Sequence, residues 1–390
     1  MDGEIQTRLT PMRTRSKFIY RIILILTLFL VIFFLPRVAY DYNPAFHTVT
    51  IVMTFIRISL IFVFIIEITR FINDYVIKPN LSNWLKNITS LVYILAVVFM
   101  VFEGVFMFVP RSHYAGIPLC SKIWFFKYWN PINAYGFRDK EVNSGENKNI
   151  IFIGDSYTAG HGLKDINSRF SNILEANLAS HYPDVQAINL GVNGADTKDE
   201  YNIIWQFVKD SGEKPSFLIL QYFGNDIEKV ARTNGLPFFG FSPYTDVPPA
   251  MKQIVQSSYF LNYIYWVFPH GDAKTYIDFM HSAYNNEQVL SQHLSDLKLV
   301  IDYAHRDSIP LLVLIFPFLQ DIPFSEELYI EKISNYLDMQ QVNYIDISKL
   351  VLDLPVNERV VNNNDAHPSI LVNQRVADAI ETYINNNKIL

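Results

Sequence analysis

The chain has 390 residues, half of them apolar and 15% aromatic, with a formal net charge of −6. It contains no Lys/Arg run and carries an acidic excess, which leaves a nucleic-acid-binding role without an electrostatic footprint. One cysteine, Cys120, excludes an intramolecular disulfide and any cysteine-based metal cluster.

The apolar excess is concentrated before residue 110. Three segments, Phe18–Tyr40, Val49–Ile72 and Ile88–Val109, are each long enough to cross a hydrocarbon core of about 30 Å. None is clean: Arg21 and Pro36 bracket the first, Arg57 and Glu67 interrupt the second, and Glu103 sits in the third. A buried soluble helical domain is the alternative. Pro36-Arg37-Val38-Ala39-Tyr40 lacks a small-x-small cleavage site, so the first segment does not read as a removed signal. Arg8, Arg13, Arg15, Lys17 and Arg21 precede it, whereas residues 41–48 carry no Lys or Arg. The positive-inside bias then places the amino terminus in the cytoplasm and the chain after Pro110 outside, in a bacterial cell the periplasm or outer surface. Antiparallel neighbouring spans suggest an Arg57–Glu103 pair.

Residues 111–148 form an aromatic entry segment. From Asn149 the pattern alternates: strands at 150–153, 185–190, 216–222, 310–316 and 342–347, amphipathic helices at 168–180, 198–210, 285–306, 325–339 and 369–385. Thr197 with Glu200 reads as a capping box and Ser325 as a helix cap. Such alternation predicts a mostly parallel sheet with helices on both faces. The expected organisation is a cytoplasmic tail (1–17), an all-α region of three transmembrane helices (18–110), the entry segment, and an α/β domain (149–390). Within that domain, an aromatic insertion at about 227–284 is expected to overhang the strand ends as a lid or acyl pocket, or to pack on the domain.

The stretch Ile150-Ile151-Phe152-Ile153-Gly154-Asp155-Ser156 ends a buried strand in a sharp turn that presents a serine where open α/β sheets place their ligands. A serine nucleophile needs a base and oxyanion donors. Later strand ends supply candidates: the glycine-bearing turn Asn189-Leu190-Gly191-Val192-Asn193-Gly194, the carboxamide of Asn225 in Gly224-Asn225-Asp226, and Asp365-Ala366-His367-Pro368. The serine turn is not Gly-x-Ser-x-Gly, which argues against an α/β-hydrolase elbow. His161, between two glycines, reads as a surface-loop residue or a site-lining one. The other histidines show no metal-ligand spacing.

In these four blocks, over roughly the last 240 residues, the chain resembles the SGNH/GDSL esterase family in its membrane-tethered bacterial form. The resemblance implies a flavodoxin-like three-layer domain with a parallel sheet of about five strands. It also implies Ser156 as nucleophile, His367 as general base, and an oxyanion hole of Ser156, Gly191 and Asn225. No cofactor or metal is implied. Two departures stand out: Phe223 occupies the place of the usual glycine in the third block, and Asp365 lies two residues before His367, with Asn364 at the usual three. Asp365 is taken as the third triad member because it alone brings a charge. The implied activity is hydrolysis of ester-linked acyl groups, acetyl foremost, on a cell-envelope glycan or lipid. The rivals are an O-acyltransferase using the same serine with an acyl-donor membrane partner, and a noncatalytic envelope-assembly protein on a hydrolase fold.

Overall fold

The computed structural model describes residues 2–34, 44–72, 75, 83–114, 118–145, 148–237, 248, 250, 251, 255, 258–268 and 273–390. The chain divides into two compact units. One comprises Met1–Arg111, Pro118–Phe126 and Val247–Phe268; the other comprises Ser112–Ile117, Lys127–Asp246 and Pro269–Leu390. The entry segment is thus shared between the units.

The first unit is helical: Asp2–Phe34, Pro44–Phe71, Asn83–Phe106, Leu119–Tyr128 and Tyr259–Val267. Of three expected spans, one is long and apolar enough among the described residues, Lys17–Phe34, with a mean hydropathy of 2.4. In the second helix Arg57, Glu67 and Arg70 break the described apolar stretch, and Arg70 pairs with Glu67 at 3.1 Å. In the third helix the apolar stretch among the described residues is Ser90–Phe106. Residues 35–43, at the end of the first expected span and the start of the following loop, lie outside the described residues.

Glu103 is buried and serves as an acceptor for another helix of its own unit. Its carboxylate takes hydrogen bonds from the Ser258 hydroxyl (2.6 Å) and from the N–H groups of Tyr259 (2.6 Å) and Phe260 (3.1 Å). These lie at the amino-terminal end of Tyr259–Val267, where unpaired N–H groups and the helix dipole favour a negative charge. Phe260 stacks on Phe102 at 4.9 Å, and Tyr263 packs against Phe106 at 4.6 Å. The Asn262 amide oxygen accepts the Leu119 N–H at 2.9 Å. Glu103, which the sequence suggested as a partner for Arg57, thus takes part in a helix cap. Within the expected insertion, the helix Tyr259–Val267 belongs to the helical unit and the helix Ala273–Tyr284 to the other. Phe238–Phe241 and Tyr244, also expected in the insertion, lie outside the described residues.

The second unit is built on five parallel strands, β1 (Lys148–Ile153), β2 (Val185–Asn189), β3 (Phe217–Phe223), β4 (Leu311–Phe316) and β5 (Asn343–Asp346), in the order β2-β1-β3-β4-β5. Ile151 sits between Ile188 and Leu218, and Leu220 pairs with Val313. The strands are apolar at consecutive positions because both faces are covered. Ile151, Ile153, Leu218, Leu220 and Val313 face one cluster with the helices Thr197–Ser211 and Glu287–Arg306. Ile150, Phe152, Phe217, Ile219 and Leu312 face the other, with Phe170–Leu178 and Ile370–Asn387. This is the doubly wound flavodoxin-like order, and the direction in which successive strands are added reverses between β1 and β3. A short antiparallel pair, β6 (Val360–Asn362) and β7 (Asp365–Pro368), precedes the last helix. Helix caps fall one to four residues before the expected ones. Asp196 accepts the Asp199 N–H at 2.8 Å, and Asp321 accepts the Phe324 N–H at 3.1 Å.

Replacing Glu103 with Ala strands one hydroxyl and two N–H groups, at a cost of about 2–4 kcal/mol. The expected result is a lower Tm in detergent and faster proteolysis within residues 247–268. Unchanged cleavage there rules out the capping role.

Candidate active site

The switch point places the carboxyl ends of β1 and β3 side by side, and the predicted serine follows β1 directly. Ser156 opens the short helix Ser156–Ala159, capped by Asp155, whose Oδ1 accepts the Tyr157 N–H at 2.8 Å. The turn is tied to β3 through Gln221. Its Oε1 accepts the Asp155 N–H (3.1 Å), the Thr158 N–H (3.3 Å) and the Thr158 hydroxyl (2.9 Å).

Ser156 Oγ lies 2.8 Å from His367 Nε2, and His367 Nδ1 is hydrogen-bonded to Asp365 Oδ1. A carboxylate only accepts, so Nδ1 carries the proton and Nε2 offers its lone pair to the serine hydroxyl. Asp365 is fully buried and His367 nearly so. Burial alone pushes the Asp365 carboxyl up, but the charge and hydrogen bond of His367 outweigh it and hold Asp365 well below the usual carboxylate range. Asn364, at the spacing usual for the family, is turned to local structure: its N–H donates to Asn362 Oδ1 (2.9 Å) and its carbonyl accepts the Tyr114 N–H (3.0 Å). The two-residue separation works because Asp365 and His367 lie on one strand, where positions i and i+2 share a face.

Of the three expected oxyanion donors, Ser156 and Asn225 stand in the turns that follow the neighbouring strands β1 and β3. The Ser156 N–H stands at the start of the short helix, and Asn225 opens the turn after β3. Its Nδ2 donates to Asp155 Oδ2 at a long 3.4 Å, leaving the second amide hydrogen available. Gly191 is different. Its N–H donates to Asn189 Oδ1 at 3.0 Å, and a Cβ there would fall 2.2 Å from the Ala159 nitrogen. Close packing under the serine helix is what requires glycine at that position. Gly194, three residues on, is exposed with φ +75°, and no acceptor takes its N–H among the described residues.

Several residues around the site carry no motif. Buried Arg138 donates to the carbonyls of Ala159 (3.3 Å), Gly160 (2.6 Å) and Leu163 (2.6 Å). Asn189 Nδ2 donates to the Thr158 carbonyl at 2.8 Å. Tyr284 donates to the Gly224 carbonyl (2.8 Å) and contacts the Tyr222 hydroxyl (2.7 Å), which in turn meets His293 Nε2 (2.8 Å). With the Tyr284 proton spent on Gly224, the hydrogens run His293 to Tyr222 to Tyr284, a chain that steadies the backbone beside Asn225. Phe223 stacks on Tyr157 at 4.4 Å, which accounts for an aromatic where a glycine was expected.

His161, Asp365 and His367 offer ligand atoms within 4.8 Å of one another. The two imidazole planes are within 5° of parallel, so their in-plane lone pairs do not converge on a common point. Both His367 nitrogens are already engaged. The arrangement suits proton transfer better than ion binding.

These features define a serine hydrolase centre on a doubly wound sheet. Residues 152–374 match the model of the GDSL-like lipase/acylhydrolase family, and the chain belongs to that family. It is a serine ester hydrolase of the SGNH type. Solved structures similar to it include TesA (14% identity, TM-score 0.39, 62% of this chain and 99% of that one). Two further ones are the psychrotrophic esterase EstA from Pseudoalteromonas sp. (12%, 0.38, 62% and 100%) and AlinE4, an SGNH-hydrolase family esterase (19%, 0.33, 63% and 96%). No curated protein matches.

Beneath the site, Glu200 is fully buried with neither carboxylate oxygen hydrogen-bonded. Burial, then the nearby Asp226 and Asp155, raise its pKa well above the usual value. Below about pH 4 the folded and unfolded chains both hold this proton. As pH rises further the unfolded chain releases it and the folded one retains it, so the native state loses stability. The Tm difference between Glu200→Gln and wild type should therefore move in favour of the variant from pH 5 to pH 8. A difference that stays flat with pH shows that Glu200 is ionised in the fold.

Proposed function

We propose that this esterase is held in a bacterial cell membrane by its amino-terminal helices, with the amino terminus cytoplasmic and the catalytic unit outside. In this reading it removes ester-linked acyl groups, acetyl foremost, from a cell-envelope glycan or lipid. The observation that carries the chemistry is the line Asp365–His367–Ser156, with 2.8 Å between base and nucleophile. Ser156 Oγ attacks the acyl carbon as His367 Nε2 takes its proton, and Asp365 stabilises the imidazolium. The proton then passes to the leaving alcohol, and a water activated by the same histidine releases the acid. The Ser156 N–H and the Asn225 amide hold the oxyanion, while the Gly191 N–H is committed to Asn189.

The membrane placement is supported by the basic cluster before Lys17–Phe34 and by outward apolar side chains on the helices. Phe33 is 70% and Phe34 73% exposed, and Leu91, Leu95 and Phe102 are exposed on the third helix. The second and third helices are read as further spans, with the Glu103 carboxylate hydrogen-bonded by its three donors. The choice of acetyl and of an envelope substrate rests on the family resemblance.

The full-length protein in detergent should hydrolyse p-nitrophenyl esters, with acetate the best of a chain-length series. Ser156→Ala should abolish both turnover and fluorophosphonate labelling while keeping the wild-type Tm; normal activity in that variant ends the hydrolase reading. Asn225→Ala should lower kcat by about 10²–10³ with little change in KM. A raised KM at constant kcat would make Asn225 a substrate-binding residue. Asp365→Asn should cost up to about 10⁴ in kcat, and Asn364→Ala less than tenfold. The opposite ranking would assign His367 orientation to the amide.

A further inference from the structure

His161 exchanges no proton in this chemistry, yet its ring is buried against the catalytic base. It is 4% exposed and lies flat on His367, with ring centroids 4.2 Å apart and planes within 5°. His161 Nε2 is 3.1 Å from the His113 carbonyl oxygen, which only accepts, so that nitrogen carries the hydrogen. Trp129 meets the ring edge-on at 6.2 Å. The loop around it is pinned on both sides by the Arg138 bonds to Gly160 and Leu163. Gly162 has φ +86°, and a Cβ there would fall 2.8 Å from Asp365 Oδ2, so the loop closes tightly over the dyad.

We infer that His161 is a positioning residue for the reaction: its flat, neutral ring sets the plane of the His367 imidazole and favours the charge that His367 acquires. The inference rests on His367 being the base. The hydrogen bonds at Nδ1 and Nε2 both lie in the ring plane, so neither resists tilting about the Asp365–Ser156 line. A ring packed on the face does resist it. When His367 takes the serine proton, the electron-rich face of a neutral ring attracts the cation. Burial, then the charge of His367, lowers the His161 pKa to about 3, so His161 stays uncharged and does not compete for the proton.

The test compares His161→Ala, His161→Phe and His161→Met in the full-length protein in detergent, with p-nitrophenyl acetate as substrate. Alanine should lower kcat roughly tenfold, the worth of a desolvated cation–ring contact, with KM within about twofold. Phenylalanine keeps a flat face and should stay within about threefold of wild type. Methionine fills the space without a flat face and should fall with alanine. If alanine unfolds the protein, the phenylalanine–methionine pair carries the comparison. Wild-type kcat in the alanine or methionine variant overturns the inference, as does a phenylalanine variant as damaged as methionine, or a loss confined to KM. Wild-type protein inert to esters and unlabelled at Ser156 would sink the esterase reading and this inference with it. An active wild type with indifferent variants sinks only the role of His161.

Discussion

Gln221 Oε1, buried at the end of β3, accepts three hydrogen bonds from the turn that follows β1, and the placement of the nucleophile depends on it. Three donors converging on one oxygen settle which way the amide points. They also fix the Ser156 helix to a neighbouring strand rather than to solvent. Asn189, at the end of β2, holds the same helix from the other side through the Thr158 carbonyl. Three adjacent strands thus set the orientation of one serine. A turn of small residues alone would leave it to local fluctuation, and a nucleophile misplaced by about 1 Å can cost 10²-fold in rate.

Two sets of buried carboxyls coexist around this turn, and their surroundings give them opposite characters. Asp365 is kept ionised by His367, which lets it stabilise the imidazolium. Asp226 and Glu200 have their pKa values raised well above normal, by burial first; Asp155 adds to the rise at Asp226, and Asp226 and Asp155 to that at Glu200. Protonated, they add little negative potential near the developing oxyanion. Ionised, they would oppose it. The same desolvation that makes them costly to the fold keeps them electrostatically quiet beneath the site.

The helical unit resolves a different conflict, a carboxylate on an otherwise apolar helix. Glu103 is satisfied by three donors from the 258–260 turn, and Phe102 with Phe260 and Phe106 with Tyr263 pack the same two helices together. Part of the insertion in the catalytic sequence is folded into this unit, so the two units are interleaved in the chain rather than consecutive.

The strand positions, the parallel α/β class and the strand-end residues Ser156, Asn225, Asp365 and His367 were legible in the sequence. Unbroken apolar runs, capping residues and glycine turns are local signals, and a doubly wound sheet collects its strand ends at one edge whatever the loops do. The limits of those elements fall within a few residues of the expected ones. What lay beyond the sequence depends on which polar groups meet across long separations. Gln221 reaches Thr158 across 63 residues, and Glu103 reaches Ser258 across 155. Gly191 looked like an oxyanion donor because it lies in the right loop, but the direction of its N–H is set by Asn189 and its missing Cβ by the approach of Ala159. His161 is one loop histidine among nine in sequence terms. Only the folded chain stacks it on His367, because hydrogen-bond partners and ring contacts of this kind are decided by packing, which no local pattern encodes.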